Sequence, residues 1–179
     1  MGGLKENIGR RVLKKKLKGF ERFRHVHNFE TAKSAVILFD TTDQDSFPAI
    51  KEFRKFLESK GLQCDIFGYV EQKETPQELL FLKNYSFIAK RDLNWYQKPS
   101  GEVVDLFFSL NPDILFDFTK EVALELQFLV QLSRAQFKIG CFTEEENDYD
   151  LMINLTNQND AGYLSEQFKH YVSMLNPSN

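Results

Sequence analysis

The run Ala35-Val36-Ile37-Leu38-Phe39-Asp40 is the feature that most restricts what this chain can become. Five apolar residues in a row leave no polar face for water, so the segment fits a strand covered on both sides, as in a parallel sheet between two layers of helix. The next residues agree with that reading. Residues 41–46 supply turn and capping chemistry, and Phe47, Ile50, Phe53, Phe56 and Leu57 then recur at helical spacing until Gly61 gives a stop.

The alternation continues along the chain. Strands are predicted over 62–70, 85–90, 113–118, 137–142 and 151–155, with a short helix over 76–82, an almost wholly apolar helix over 121–135 and a last helix after Asn159-Asp160. Alternating strands and helices require crossover connections, and right-handed crossovers place helices on both faces of a mostly parallel sheet. The expected fold is therefore α/β, Rossmann-like or flavodoxin-like: a three-layer, mostly parallel five- or six-stranded sheet with helices on both faces. The 179 residues and 18 phenylalanines suffice for one core, and no repeat or long linker calls for a second domain.

Ahead of this domain, Ile8, Val12, Leu13, Leu17, Phe20 and Phe23 fall on one broad side of a helix predicted over 8–24. Arg10, Arg11, Lys14, Lys15, Lys18 and Arg22 occupy the other side, and Lys16 interrupts the apolar one. Residues 1–29 hold nine Lys/Arg against Glu6 and Glu21, a net +7, so with −3 for the whole chain the remainder carries −10. The chain divides accordingly into a basic helical arm over 1–30 and an acidic α/β domain over 31–179.

Three further segments, Asp92-Leu93-Asn94-Trp95 with Lys98-Pro99, Asp113-Ile114-Leu115-Phe116-Asp117 and Ser133-Arg134-Ala135-Gln136-Phe137-Lys138-Ile139-Gly140, are joined by Tyr149-Asp150-Leu151-Met152-Ile153. Together they resemble an uncharacterised family of small α/β proteins of Bacteroidota, a domain of unknown function. The resemblance runs from the first strand onward and implies the fold, with no activity attached.

Several chemistries are disfavoured. No apolar run approaches the ~20 residues that cross a bilayer, and no apolar stretch of the secretory kind follows the lysines, which points to the cytoplasm. Cys64 and Cys141 form no paired motif and read as reduced thiols of core strands. The turn after the first strand contains no glycine, so the usual phosphate-cradling loops are absent, and no cofactor is implied. His25, His27 and His170 have no zinc-site spacing, no metal site is predicted, and no sequence-specific DNA-binding motif occurs.

Two candidate sites remain beside the basic helix. Arg91, Asn94, Trp95, Tyr96 and Lys98 have the composition of a loop that stacks on bases and contacts phosphates, although Trp95 could equally pack over the sheet end. Asp40, Thr41, Asp117 and Thr119 would gather at the carboxyl ends of two strands, as an acid/base or divalent-metal pair if those strands are neighbours and as turn and helix caps otherwise.

The leading expectation is a non-enzymatic binding protein whose basic helix associates with an anionic partner, most concretely RNA or the ribosome. The alternatives are a small-molecule or phosphate-ester enzyme with its site at the strand ends, and peripheral attachment to an anionic membrane surface. The membrane reading differs from the first in needing the apolar side of the helix free, and a further reading of the helix has that side docked on the domain with the lysines merely facing solvent.

Overall fold

Residues Ala35 to Phe39 are all buried, as a strand covered on both faces must be. The computed structural model describes residues 3–43, 45–120, 123–155 and 160–176. Its strands are β1 (Ser34–Asp40), β2 (Gln63–Val70), β3 (Tyr85–Ala89), β4 (Ile114–Asp117), β5 (Phe137–Cys141) and β6 (Leu151–Ile153). They form one six-stranded, all-parallel sheet in the order β3-β2-β1-β4-β5-β6. The strand order reverses between β1 and β4, where Leu38 pairs with Asp117.

The helices are α1 (Leu4–Leu17), α2 (Ser46–Ser59), α3 (Gln77–Leu80), α4 (Glu102–Ser109), α5 (Leu124–Leu132) and α6 (Ala161–Met174). Alternate residues of each strand point to opposite faces, and the core divides accordingly. Ile37, Phe39 and Phe116 pack with Phe53 and Leu57 of α2 and Phe168 of α6. Val36, Leu38, Phe67 and Leu115 pack on the other face with Val104 and Phe107 of α4 and Leu129 of α5. Helix α6 is capped as its sequence suggests, with the Asp160 carboxylate accepting from Tyr163 N.

Three expectations require correction. Helix α4 falls where no helix was predicted: it is eight residues long, and Val104 and Phe107 are its buried side while Leu106 is exposed. The apolar helix was expected from Glu121; Glu121 and Val122 lie outside the described residues, and α5 begins at Leu124. Helix α1 stops at Leu17 instead of continuing to residue 24. Gly19 follows its cap at Lys18, and the chain then runs without regular structure to residue 28, so Phe23 is exposed instead of facing a core.

Candidate functional site

Helix α1 is a further layer outside α5. Leu13 is 3% exposed and packs with Leu124 and Phe128, flanked by Val12, Leu17 and Leu132. Gly9 permits the close approach: a side chain there would collide with the Tyr96 carbonyl and with Leu124. The apolar side of the helix is thus occupied by its own protein. Along one flank Arg10 bonds Glu6 at 2.9 Å and Glu145 at 3.3 Å, and Lys14 pairs with Glu146 at 3.2 Å. Lys5, Arg11, Lys15, Lys16 and Lys18 are exposed and have no ion-pair partner among the described residues.

Arg22 does not belong to that outer row. It lies beyond the helix with its side chain 2% exposed, bonding Asp148 at 2.9 Å and Asp150 at 2.8 Å. It also donates to the carbonyls of Ala135 and Gln136. Arg24 reaches the same two aspartates, and buried Lys138 donates to Asp148 at 2.7 Å. Burial alone would raise the Asp148 pKa, but Lys138 and Arg22 outweigh it and hold the carboxyl below its usual range. For Lys138 burial prevails and brings it down to about 8. This knot ties the segment after α1 to the loop between β5 and β6. Sequence reading missed it because the partners lie 126 and 128 positions apart.

The aromatic loop is tied by hydrogen bonds within itself and presents one ring. After a 3₁₀ turn at Lys90–Asp92, Leu93 bridges Pro99, and the Asn94 carboxamide oxygen accepts from Tyr96 N at 3.1 Å and Lys98 N at 3.0 Å. Asn94 therefore shapes the loop from within. Gln97 sits in the left-handed region at φ 66°, which the tight turn demands. Trp95 is 61% exposed, and half-buried Tyr96 meets it edge to face at 5.2 Å. Arg91 is exposed near Asp92, and half-buried Lys98 has no ion pair among the described residues. Trp95 and Lys5 line a common open recess, so the helix and the loop make one continuous surface.

At the strand ends, β1 and β4 are neighbours, yet Asp117 stands opposite Leu38 and not Asp40. The fully buried Asp117 carboxylate accepts from the Tyr149 hydroxyl at 2.6 Å and from Thr119 N at 2.8 Å. Burial pushes its pKa up to about 6, against those hydrogen bonds. Burial and the facing Asp117 push the Tyr149 hydroxyl upward as well. The Asp40 carboxylate accepts from Thr42 N, and the Thr41 hydroxyl donates to the Tyr69 carbonyl. Lys120 pairs with Asp43 at 2.6 Å across the point where strand order reverses. A cavity of about 40 Å³ beside Asp117, Lys120, Cys141 and Tyr149 has room for a water or a small ion, not for a nucleotide. Among the described residues no group of three His, Cys, Asp or Glu side chains could hold a metal. Cys64 and Cys141 are free, and burial raises both thiols to about 12.

Glu125, on the apolar helix α5, is buried and accepts from the Tyr69 hydroxyl at 2.6 Å. No described helix is long and apolar enough to cross a membrane. Comparison with known proteins finds no match among curated proteins and none among solved structures. The sequence does match the family of unknown function DUF6913 over residues 5–175, nearly its whole length, and the chain belongs to that family.

Proposed function

We propose that this member of a family of unknown function is a non-enzymatic RNA-binding protein whose contact surface is the outer side of α1 together with the Trp95 loop, on free RNA or on the ribosome. The observation that carries this reading is exposed Trp95 sharing an open recess with exposed Lys5 at the start of α1, while Arg11, Lys15 and Lys18 on the outer side of the same helix are likewise exposed with no carboxylate partner among the described residues. Phosphates are neutralised by such cations, and an unpaired base stacks on an exposed indole whatever its identity. Residues 30–179 carry −10 and repel a phosphate backbone elsewhere, which confines contact to this side.

The docked apolar side of α1 favours phosphate contact over insertion into a membrane interface, which needs that side free. A strand-end enzyme has less support, since Asp117 already satisfies Tyr149 and Thr119 and faces only a small cavity.

The test is fluorescence anisotropy with a labelled single-stranded RNA decamer at low salt. Removing three cations in R11Q/K15Q/K18Q should weaken binding by about tenfold or more. W95A should cost about 1–3 kcal/mol, the range for loss of one stacked base. An RNA affinity shared by wild type and both variants, or no affinity in the wild type, defeats the reading.

A further inference from the structure

Lys16 breaks the apolar side of α1, and neither the docking of the helix nor its outer row of cations accounts for it. It faces the space between the end of α1 and α4, a recess of about 370 Å³ that it lines with Lys98 and Arg134. None of the three has an ion pair among the described residues, and Asp105 is the acidic residue of the lining. Two aromatic residues, Phe20 and Phe108, also line the recess. Both are half-buried: the Phe20 ring lies 5.9 Å from the Lys138 ammonium, and Phe108, packed on the core, meets buried Phe107 edge to face at 5.4 Å.

We infer that this recess binds one nucleoside phosphate unit, its base against Phe20 and Phe108 and its phosphate among Lys16, Lys98 and Arg134. The volume lies within the about 300–1,000 Å³ usual for small-molecule sites. Three cations about one acid give the local positive charge a phosphate needs, and Arg134 can grip it with two parallel hydrogen bonds. Half-buried aromatic walls suit a planar ring, which inorganic phosphate lacks, while an uncharged apolar ligand would leave the cations without partners. The walls offer few groups to read a base edge, so stacking governs binding and base identity matters little. The inference deepens the RNA reading, on which it rests for the source of the unit; the unit comes from a strand or from a free nucleotide.

The test titrates the full chain with AMP, with ATP, with inorganic phosphate and with a 5′-phosphorylated RNA decamer, by calorimetry. Saturable AMP and ATP binding is expected, weakened about tenfold or more in K98Q/R134Q. F20L should weaken AMP binding about fivefold or more while leaving inorganic phosphate unaffected. R11Q/K15Q/K18Q should bind AMP like the wild type, and circular dichroism should show every variant folded. AMP binding without decamer binding keeps the recess as a free-nucleotide site and removes the RNA reading. Decamer binding without AMP or ATP binding overturns the recess and leaves the RNA reading standing. Equal affinity for AMP and inorganic phosphate, with F20L silent, also overturns it.

Discussion

Arg11 and Arg22 come from the same basic stretch and look alike in sequence, yet they end in opposite places. Arg11 stands on the open side of α1 with no carboxylate partner among the described residues, whereas Arg22 is 2% exposed and fastened to the Asp148 and Asp150 carboxylates and to three carbonyls. A count of +7 over residues 1–29 therefore combines two kinds of charge. One kind holds the chain together and is unavailable to a partner. The other contributes little to folding and remains accessible to one. Burial, not position in the basic stretch, separates them.

The sharpest break between the two is R22A. Removing the buried guanidinium leaves Asp148 paired with Lys138 and Arg24 and Asp150 paired with Arg24, so the loss is that of the charge-assisted hydrogen bonds made by Arg22, about 3 kcal/mol. Urea denaturation of R22A should show a loss of that size; a loss below about 1 kcal/mol would mean that the knot is not a structural tie.

Asp117 supplies an intermediate effect and sharpens the role of burial. Its folded pKa of about 6 lies above the ordinary 3.8, so between those values the folded protein holds a proton that the unfolded chain has released. Its contribution to stability consequently falls as pH rises from about 4 to 6, by an amount on the order of 2–3 kcal/mol. The difference in stability between wild type and D117N, followed by denaturation across that range, should show this slope. A flat difference would contradict it. At the small end, R11Q should change stability by no more than about 0.5 kcal/mol, since it touches no buried feature; a larger loss would place Arg11 with Arg22 after all.

The sheet was legible because its strands are continuous apolar runs such as Ala35 to Phe39, and burial on two faces leaves few other possibilities. Strand order was not, since nothing local says that Leu38 will stand beside Asp117. Helix α1 was legible as a helix but not in its extent: Phe20 and Phe23 continue the period past Gly19, while the chain itself turns away to seat Arg22. Within the candidate surface, composition pointed to the Trp95 loop and to the cations of α1. It could not distinguish Asn94, bonded inward to the loop backbone, from Trp95, turned outward. Lys16 was visible as a break in the apolar side of α1, but the recess that it lines with Arg134 was not, because it depends on which elements meet there.

The most direct test of the central claim, that the outer cations of α1 face phosphates, is the salt dependence of RNA binding. For single strands the slope of log K against log salt falls by about 0.7 for each phosphate neutralised, so R11Q/K15Q/K18Q should have a slope shallower than the wild type by about 2. An identical slope in the two proteins would show that these cations touch no phosphate and would contradict the account.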